Sequence, residues 1–377
     1  MRAAGRDIIA LTSGDLDFPT PDHVVVAAHE AALRGETKYT TIDGTPALKD
    51  AVRAKFRRDN NLDFGSDEVI VTNGSTQAIF NAFFATVEPG DEVVVPRPSW
   101  EPYLDQARLA GGEPVEVICS QNSGFKLRPE VLEEAITERT RWVVINNPTN
   151  PTGVVYTRAE LAALAEVLLC YPSVFILSDD RYEHIVFDGR RLETLAAVEP
   201  RLRARTLTVN GVAKSYSMMG WHIGYAGGPA PLIAEMIKIQ SQTTSAASSI
   251  GQAAAAAALT GPQDLLVERA AILASRRDAF VAQINGCPGL SCLSPEGTFY
   301  LFMSCAGLIG ARARGGRRLD TDRDVAAYLL EAADVALVPG SDCGMSPYLR
   351  GSFALPPERL AEAGTRIERA CRWLQLS

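Results

Sequence analysis

The chain has 377 residues, of which 46% are hydrophobic and 22% are charged. These values are ordinary for globular proteins and exclude disordered and fibrous classes, and the length suits two domains or one large domain with a smaller partner. The formal net charge of −8 argues against nucleic acid or an anionic membrane as the main partner.

The first predicted elements are helical. Residues 11–21 contain glycine, aspartate and two prolines, which predicts an irregular lead-in. Asp22 is the expected N-cap of a helix over residues 23–34. After a loop, Pro46 is expected to open a second helix that runs towards Asn60.

From residue 69 onwards, short apolar strands alternate with helical stretches. The predicted strands cover residues 69–71, 93–95, 142–145, 174–177, 207–209 and 223–226. Apolar runs of this length, mostly separated by helices, are typical of an α/β fold with a mostly parallel sheet covered by helices on both faces. Polar clusters directly follow the first five runs, and ligands of such sheets bind at the carboxyl ends of the strands. One pocket is therefore expected to collect these clusters.

The C-terminal part of the sequence has a different, α+β pattern. Residues 231–259 predict one long helix with a Gln/Ser/Thr-rich middle. A helix that ends at Asn285, a β-like run over residues 297–302 and two more helices follow. The basic loop of residues 312–318 is interpreted as a solvated loop, with contact to an anionic substrate as the alternative.

The seven cysteines include no CxxC pair, which favours a reducing compartment over a disulfide framework. No two of the four histidines have metal-ligand spacing, so no metal site is expected. Neither a signal peptide nor a membrane span is visible in the sequence, and we expect a cytoplasmic location.

Lys214 lies on an irregular segment between two predicted strands, among apolar and small residues. Loss of hydration disfavours the charged form of such a lysine and makes the amine a better nucleophile, as a Schiff-base lysine requires. Taken alone this is weak evidence, because most lysines are solvated surface charges. The surrounding motifs favour the first interpretation.

Three motifs carry a resemblance to a known family: Asn-Pro-Thr-Asn-Pro-Thr-Gly at residues 147–153, Ser-Asp-Asp-Arg-Tyr at 178–182, and Lys214 followed by Gly-Trp-His-Ile-Gly-Tyr at 220–225. Together they resemble the fold-type I pyridoxal-phosphate enzymes, and more narrowly the bacterial aspartate-aminotransferase branch of the class I/II aminotransferases. The resemblance extends from about Leu11 to the C-terminus. It implies a ping-pong transfer of an amino group from an L-amino acid to a 2-oxo acid, with pyridoxal 5′-phosphate held by Lys214.

The resemblance also implies roles around the cofactor ring. Asp179 would face the pyridine nitrogen and keep it protonated, which strengthens the electron sink; an N-cap is the alternative for this residue. Tyr182 and Asn150 would hydrogen-bond the phenolic oxygen, and Trp100 would stack on the ring. A turn residue and a core aromatic are the respective alternatives for Asn150 and Trp100.

Further matches concern the phosphate and the substrate. Gly74, Ser75 and Thr76 form a strand-to-helix turn whose free N–H groups suit a phosphate, and the family binds the cofactor phosphate there. Arg350 matches the arginine that clamps the substrate carboxylate, for which a planar guanidinium is well suited.

Two other matches lie near the N-terminus. Gly14 matches a glycine whose backbone approaches the substrate carboxylate, with a solvent-facing turn as the alternative. Tyr39 matches a tyrosine that reaches the phosphate of the neighbouring subunit, which implies a homodimer.

The expected organisation is a large cofactor-binding domain over residues 46–275 and a smaller α+β domain. Residues 276–377 and the N-terminal segment 1–45 would build the smaller domain.

Three positions depart from the family pattern. His222 stands where the family has an arginine that pairs with the cofactor phosphate, so phosphate neutralisation is expected to be weaker or pH-dependent. Asp180 and Arg181 stand where glutamate and an apolar residue are commoner. The His222 change leaves open a specialised enzyme on the same fold that performs β- or γ-replacement, cyclisation, lyase or oxidase chemistry. A transcription regulator with an aminotransferase-like domain is disfavoured, because no DNA-binding module precedes the pattern.

Overall fold

The computed structural model describes residues 5–375, which contain thirteen strands and twelve α-helices. The strands are β1 (Ile9–Ala10), β2 (Val69–Asn73), β3 (Glu92–Arg97), β4 (Glu113–Ile118), β5 (Thr140–Asn146), β6 (Phe175–Asp179), β7 (Thr206–Gly211), β8 (Ile223–Gly227), β9 (Ser291–Cys292), β10 (Tyr300–Ser304), β11 (Val335–Ala336), β12 (Val338–Pro339) and β13 (Tyr348–Ser352). The helices are α1 (Asp22–Leu33), α2 (Pro46–Asn60), α3 (Ser75–Thr86), α4 (Pro102–Leu109), α5 (Pro129–Ala135), α6 (Arg158–Leu169), α7 (Leu195–Val198), α8 (Ala230–Thr243), α9 (Ser249–Thr260), α10 (Asp264–Asn285), α11 (Asp322–Ala333) and α12 (Pro357–Arg372).

A seven-stranded sheet forms the centre of the molecule, in the order β2-β8-β7-β6-β5-β3-β4. Strands β4, β3, β5, β6 and β7 are parallel, and β8 runs antiparallel between β7 and β2. Side chains alternate between its faces, as the period of a strand requires. Val93 and Val95 belong to the core beneath α3, α4 and α8, whereas Val94 belongs to the core beneath α5 and α6. The prediction of a mostly parallel sheet covered on both faces is confirmed.

A second, antiparallel sheet has the order β12-β13-β10-β9, and β1 pairs in parallel with β11. These strands share one apolar core with α10, α11 and α12. The N-terminal segment thus joins the C-terminal part of the chain through Ile9 and Val335. The expected boundary between residues 275 and 276 falls inside α10, and the domain limits themselves stay a prediction.

Two predicted helices differ from the structure. Asp22 is the first residue of α1 rather than its N-cap, which is Pro21 and makes no side-chain cap bond. The single helix expected over residues 231–259 is two helices. Its polar middle contains the break, where Ser245 adopts a left-handed φ of 62° and Ser248 accepts a bond from the N–H of Gly251 as the N-cap of α9.

The basic loop of residues 312–318 lies on the surface near α11 and the C-terminal segment. Arg317 pairs with Glu331 at 2.9 Å, and the guanidinium of Arg314 lies 4.7 Å from the ring centre of Trp373. These contacts fit the solvated-loop interpretation, and none of them leads to the residues around Lys214. Within residues 5–375, no helix combines the length and apolarity needed to cross a membrane.

Candidate active site

Lys214 lies in the turn segment between β7 and β8, as expected. It is half-buried, and its amine donates a hydrogen bond to the carbonyl oxygen of Gly14 at 2.8 Å. The amine also lies 5.8 Å from the ring centre of Phe299. No acidic side chain among residues 5–375 forms an ion pair with it. Lys214 therefore presents an amine held only by a neutral carbonyl, at the carboxyl end of the parallel strands.

Gly14 is a point of close approach. A Cβ at this position would lie 3.0 Å from the hydroxyl of Tyr300 and 3.3 Å from the amine of Lys214. The sequence did not identify Tyr300, which is buried and hydrogen-bonded to Tyr182. Burial and the neighbouring Tyr182 raise the pKa of Tyr300 well above its ordinary value. The lead-in segment, the lysine and these two tyrosines thus meet at one place.

Arg350 lies on β13 and reaches the same place from the second sheet. Its guanidinium donates to the side-chain oxygen of Asn150 at 3.3 Å and to the carbonyl of Thr12 at 3.2 Å. It lies 4.7 Å from the ring centre of Tyr300. Within the described chain its Nε is buried without a hydrogen-bond partner, and no carboxylate pairs with it. This is a cation with unused donors, as a carboxylate-binding residue requires.

Asp179 ends β6 and is fully buried. The hydroxyl of Tyr103 donates to its Oδ2 at 2.5 Å, and Arg181 forms an ion pair with it. Burial, reinforced by the charge of Asp179, raises the pKa of Tyr103 well above its ordinary value, so this hydroxyl stays a donor. The sequence did not single out Tyr103, because a tyrosine inside an amphipathic helix gives the same pattern as a core residue.

Asn146 connects the Asp179 and Arg350 parts of the site. Its amide donates to the backbone carbonyl of Asp179 at 2.8 Å, and its side-chain oxygen accepts from the N–H of Asn150 at 2.8 Å. Asn146 and Asp179 are register partners at the ends of β5 and β6. The sheet edge therefore fixes the position of Asn150, as the polar clusters after the strands predicted.

Trp100 precedes α4, and its ring is covered by Arg181. The guanidinium carbon lies 4.5 Å from the ring centre. Trp100 also contacts Tyr103 edge-on, with 5.3 Å between the ring centres. The Trp100 ring, which was predicted to stack on a cofactor, thus has one face covered by a side chain of the protein itself.

The turn at Gly74, Ser75 and Thr76 connects β2 to α3. Gly74 has a left-handed φ of 78°, which glycine adopts without strain. A Cβ on Gly224 would lie 2.1 Å from the backbone nitrogen of Ser75, so β8 packs directly beneath the turn. Strand β8 thereby fixes the N-terminus of α3, where free N–H groups and the helix dipole favour an anion.

This turn borders a cavity of about 180 Å³. Its lining consists of Gly74, Ser75, Thr76, Arg181, Gly211, Ala213, Lys214, Met219, His222 and Ile223. A larger cavity of about 600 Å³ beside Glu183 and His184 contains none of the predicted site residues. We place the site at the smaller cavity because the lysine, the helix N-terminus and the strand ends meet there.

Two predicted residues lie at the margin. His222 is exposed, with a left-handed φ of 53°, and its Nδ1 lies 3.9 Å from the position of a Cβ on Gly74. Tyr39 is 96% exposed and does not line the cavity within one chain. The structure thus brings His222 to the phosphate turn and leaves Tyr39 on the surface.

The donor set fits pyridoxal phosphate. A nucleophilic amine and a helix N-terminus suited to the phosphate line one cavity. Arg181, which also lines it, pairs with the buried carboxylate of Asp179, and Tyr103 donates to the same carboxylate. The guanidinium of Arg181 lies over the Trp100 ring that is expected to stack on the cofactor.

The chain belongs to the aminotransferase class I and II family, whose sequence model matches residues 6–367. It is an enzyme that transfers an amino group between an amino acid and a 2-oxo acid. The relatives do not favour the alternative of a specialised enzyme on the same fold.

Two relatives and two solved structures illustrate the similarity. An aspartate aminotransferase of Rhizobium meliloti (strain 1021) is 52% identical over 98% of this chain and 90% of the relative. An aspartate/prephenate aminotransferase of Cereibacter sphaeroides is 49% identical over 99% of this chain and 94% of the relative. A crystal structure of the Rhizobium meliloti aspartate aminotransferase has a TM-score of 0.97 and 52% identity, and covers 100% of this chain and 94% of its own. The Thermus thermophilus aspartate aminotransferase with maleate has a TM-score of 0.90 and 39% identity, and covers 98% of this chain and 93% of its own.

Proposed function

We propose that the enzyme binds pyridoxal phosphate covalently at Lys214 and transfers the amino group of L-aspartate to a 2-oxo acid in a ping-pong cycle. The observation that carries the proposal is a pair of cationic side chains, neither of which has a carboxylate partner among residues 5–375. The Lys214 amine and the Arg350 guanidinium approach Gly14 and Tyr300 from opposite sheets, and both are held by neutral oxygens. The names of the relatives support aspartate as the donor.

Each cofactor-binding residue has a task that follows from its surroundings. The N-terminus of α3 at Ser75 and Thr76 would hold the phosphate, with His222 beside it. Asp179 would accept the ring N–H, and Tyr103 would keep this carboxylate in place. Asn150 and Tyr182 would hydrogen-bond the phenolic oxygen, and Trp100 would stack on the ring. When bound, the cofactor supplies an aldehyde that condenses with amines and a ring that withdraws electrons from the substrate Cα.

The remaining residues act on the substrate. Arg350 would bind the α-carboxylate through two N–H groups, assisted by the backbone at Gly14, and so orient the Cα–H bond towards Lys214. The amine of Lys214, once displaced by the amine of the substrate, would take the proton from the substrate Cα and deliver it to C4′ of the cofactor, two bonds away. Among residues 5–375 the amine makes one hydrogen bond, to Gly14, which leaves it free to move.

Two further parts of the proposal concern assembly and location. We propose a homodimer in which Tyr39 reaches the phosphate site of the partner, since this exposed aromatic has no place in the site of its own chain. Light scattering should then give twice the chain mass of 40.6 kDa. We also propose a cytoplasmic location, in keeping with seven free thiols.

The test is a single-turnover reaction of the cofactor-loaded protein with L-aspartate and no acceptor. We expect one equivalent of 2-oxo acid per site and conversion of the cofactor to its amine form, with 2-oxoglutarate and prephenate then tested as acceptors that restore the aldehyde. Lys214→Ala should release 2-oxo acid far more slowly than wild type, if at all. Lys126→Ala, which removes another partly buried lysine that pairs with Glu160, should behave as wild type. No 2-oxo acid from any amino acid would overturn the proposal, and turnover only with other amino acids would overturn the choice of aspartate.

A further inference from the structure

Arg181 makes the two contacts that are expected of the cofactor ring. The carbon of its guanidinium lies over Trp100, 4.5 Å from the ring centre, and its Nε lies 3.0 Å from both carboxylate oxygens of Asp179. The side chain of Arg181 is only 12% exposed. A guanidinium resembles a protonated pyridine in being a planar cation with an in-plane N–H. It therefore satisfies the same aromatic face and the same buried carboxylate.

The two occupants exclude each other. A ring that stacks on Trp100 and donates to Asp179 needs the volume in which the guanidinium lies. The guanidinium has space to move into, because Arg181 also lines the cavity at Gly74 and His222. Rotation of the long side chain into this cavity keeps the charge inside the site, near an anion-binding turn that lacks a permanent cation at position 222.

We propose that Arg181 occupies the position of the cofactor ring in the cofactor-free protein. There it pairs with Asp179 and covers Trp100, and it must leave this position before the cofactor binds. This inference rests on the proposed function. It explains how Asp179, a fully buried carboxylate, keeps a cationic partner when no cofactor is bound, since an unpaired buried charge is strongly destabilising. It makes Arg181 a competitor of the cofactor and a determinant of how readily the cofactor is exchanged.

The test compares wild type with Arg181→Leu, which removes the competing cation. Cofactor-free protein is titrated with pyridoxal phosphate, and the affinity and association rate are read from the visible absorption band. We expect the variant to bind at least tenfold more tightly and faster. The cofactor-free variant should melt at a lower temperature than wild type because Asp179 loses its partner, and the rise in melting temperature on cofactor binding should be larger.

Arg277→Leu is the matched control. Arg277 also lies on an aromatic ring, 4.8 Å from the centre of Phe187, and pairs through two N–H groups with Asp188 at 2.8 and 2.9 Å, but it does not line the cavity. This variant should lower the melting temperature equally with and without cofactor, and it should leave the affinity unchanged. If Arg181→Leu does not fold without cofactor, Arg181→Lys replaces it. A lysine keeps the charge but cannot cover the ring with a plane, and a smaller gain in affinity is expected.

The outcomes separate this inference from the proposed function. Equal affinities and equal melting shifts of wild type and variant overturn the inference and leave the function standing. Weaker binding by Arg181→Leu also overturns it, and shows instead that Arg181 holds the cofactor. If only Arg181→Leu binds pyridoxal phosphate, the result supports the proposed role of Arg181 and overturns the proposed function of the wild type. If neither protein binds, and borohydride attaches nothing to Lys214, both are overturned.

Discussion

Asp180→Asn is expected to remove a pH dependence of stability that the buried carboxyl of Asp180 creates. The side chain is fully buried, and it accepts hydrogen bonds from Ser178 at 2.9 Å and Thr194 at 2.8 Å. Burial, with a smaller contribution from Glu183, raises the pKa of Asp180 from 3.8 to about 7. Between these two values the folded protein holds a proton on Asp180 that the unfolded chain has released.

The direction and size of the effect follow from proton linkage. The contribution of the protonated form is fully present below about pH 4 and is lost as the pH rises through about 7, because the native state binds the proton more tightly than the unfolded chain. A difference of about 3 pKa units at about 1.4 kcal/mol each gives an upper limit of about 4 kcal/mol. Asparagine has nearly the same shape and cannot ionise.

The assay is urea unfolding of the cofactor-free protein at pH 5 to 9. We expect the stability of Asp180→Asn relative to wild type to rise by about 3 kcal/mol between pH 5 and pH 9, because about 2 of the 3 pKa units lie above pH 5. Asp188→Asn is the control. Arg277 lowers the pKa of Asp188, so this carboxyl stays ionised throughout the range and the control curve should run parallel to wild type. Parallel curves for wild type and Asp180→Asn would refute the reasoning.

Three further predictions concern single contacts of the site. Arg350→Lys should raise KM for L-aspartate at least tenfold while the cofactor content stays the same, because the bidentate donors are lost; steady-state kinetics with absorbance of the bound cofactor checks this, and an unchanged KM would contradict the clamp. Gly224→Ala should destabilise the protein by about 1–3 kcal/mol and weaken cofactor binding, since a Cβ would lie 2.1 Å from the nitrogen of Ser75; unaltered melting and affinity would count against the packed turn. Tyr103→Phe should cost about 1.5–3 kcal/mol in the cofactor-free protein, as Asp179 loses a charged hydrogen bond, and a denaturation midpoint equal to wild type would argue that this bond is not formed.

The central sheet could be predicted because its strands are buried on both faces and read as continuous apolar runs. The edge strand β4 was missed for the opposite reason. Its sequence, Glu-Pro-Val-Glu-Val-Ile, is largely exposed, and a strand with proline and charges at a sheet edge does not produce such a run. The break between α8 and α9 was also missed. Part of its hydrogen bonding comes from distant residues, since Asn73 and Gln77 donate to the hydroxyl of Thr244.

The candidate site was predictable where one residue type is needed at a fixed place in a motif. Lys214, Asp179 and Asn150 follow strands in short polar clusters, and the sheet brings the clusters together as expected. The contacts of Tyr300 and Arg181 could not be predicted, since they depend on how a second sheet packs against the first and on which rotamer fills a gap. Their roles, like those of the predicted residues, stay predictions until binding is measured.

The covalent attachment of the cofactor at Lys214 tests the account most directly. Purified protein loaded with pyridoxal phosphate is reduced with borohydride, digested and analysed by mass spectrometry, with Lys214→Ala treated in parallel. The account predicts one pyridoxyl group per chain, on the peptide that contains Lys214, and none at a defined position in the variant. A reduced group on another lysine, or an equal yield in the variant, would contradict it.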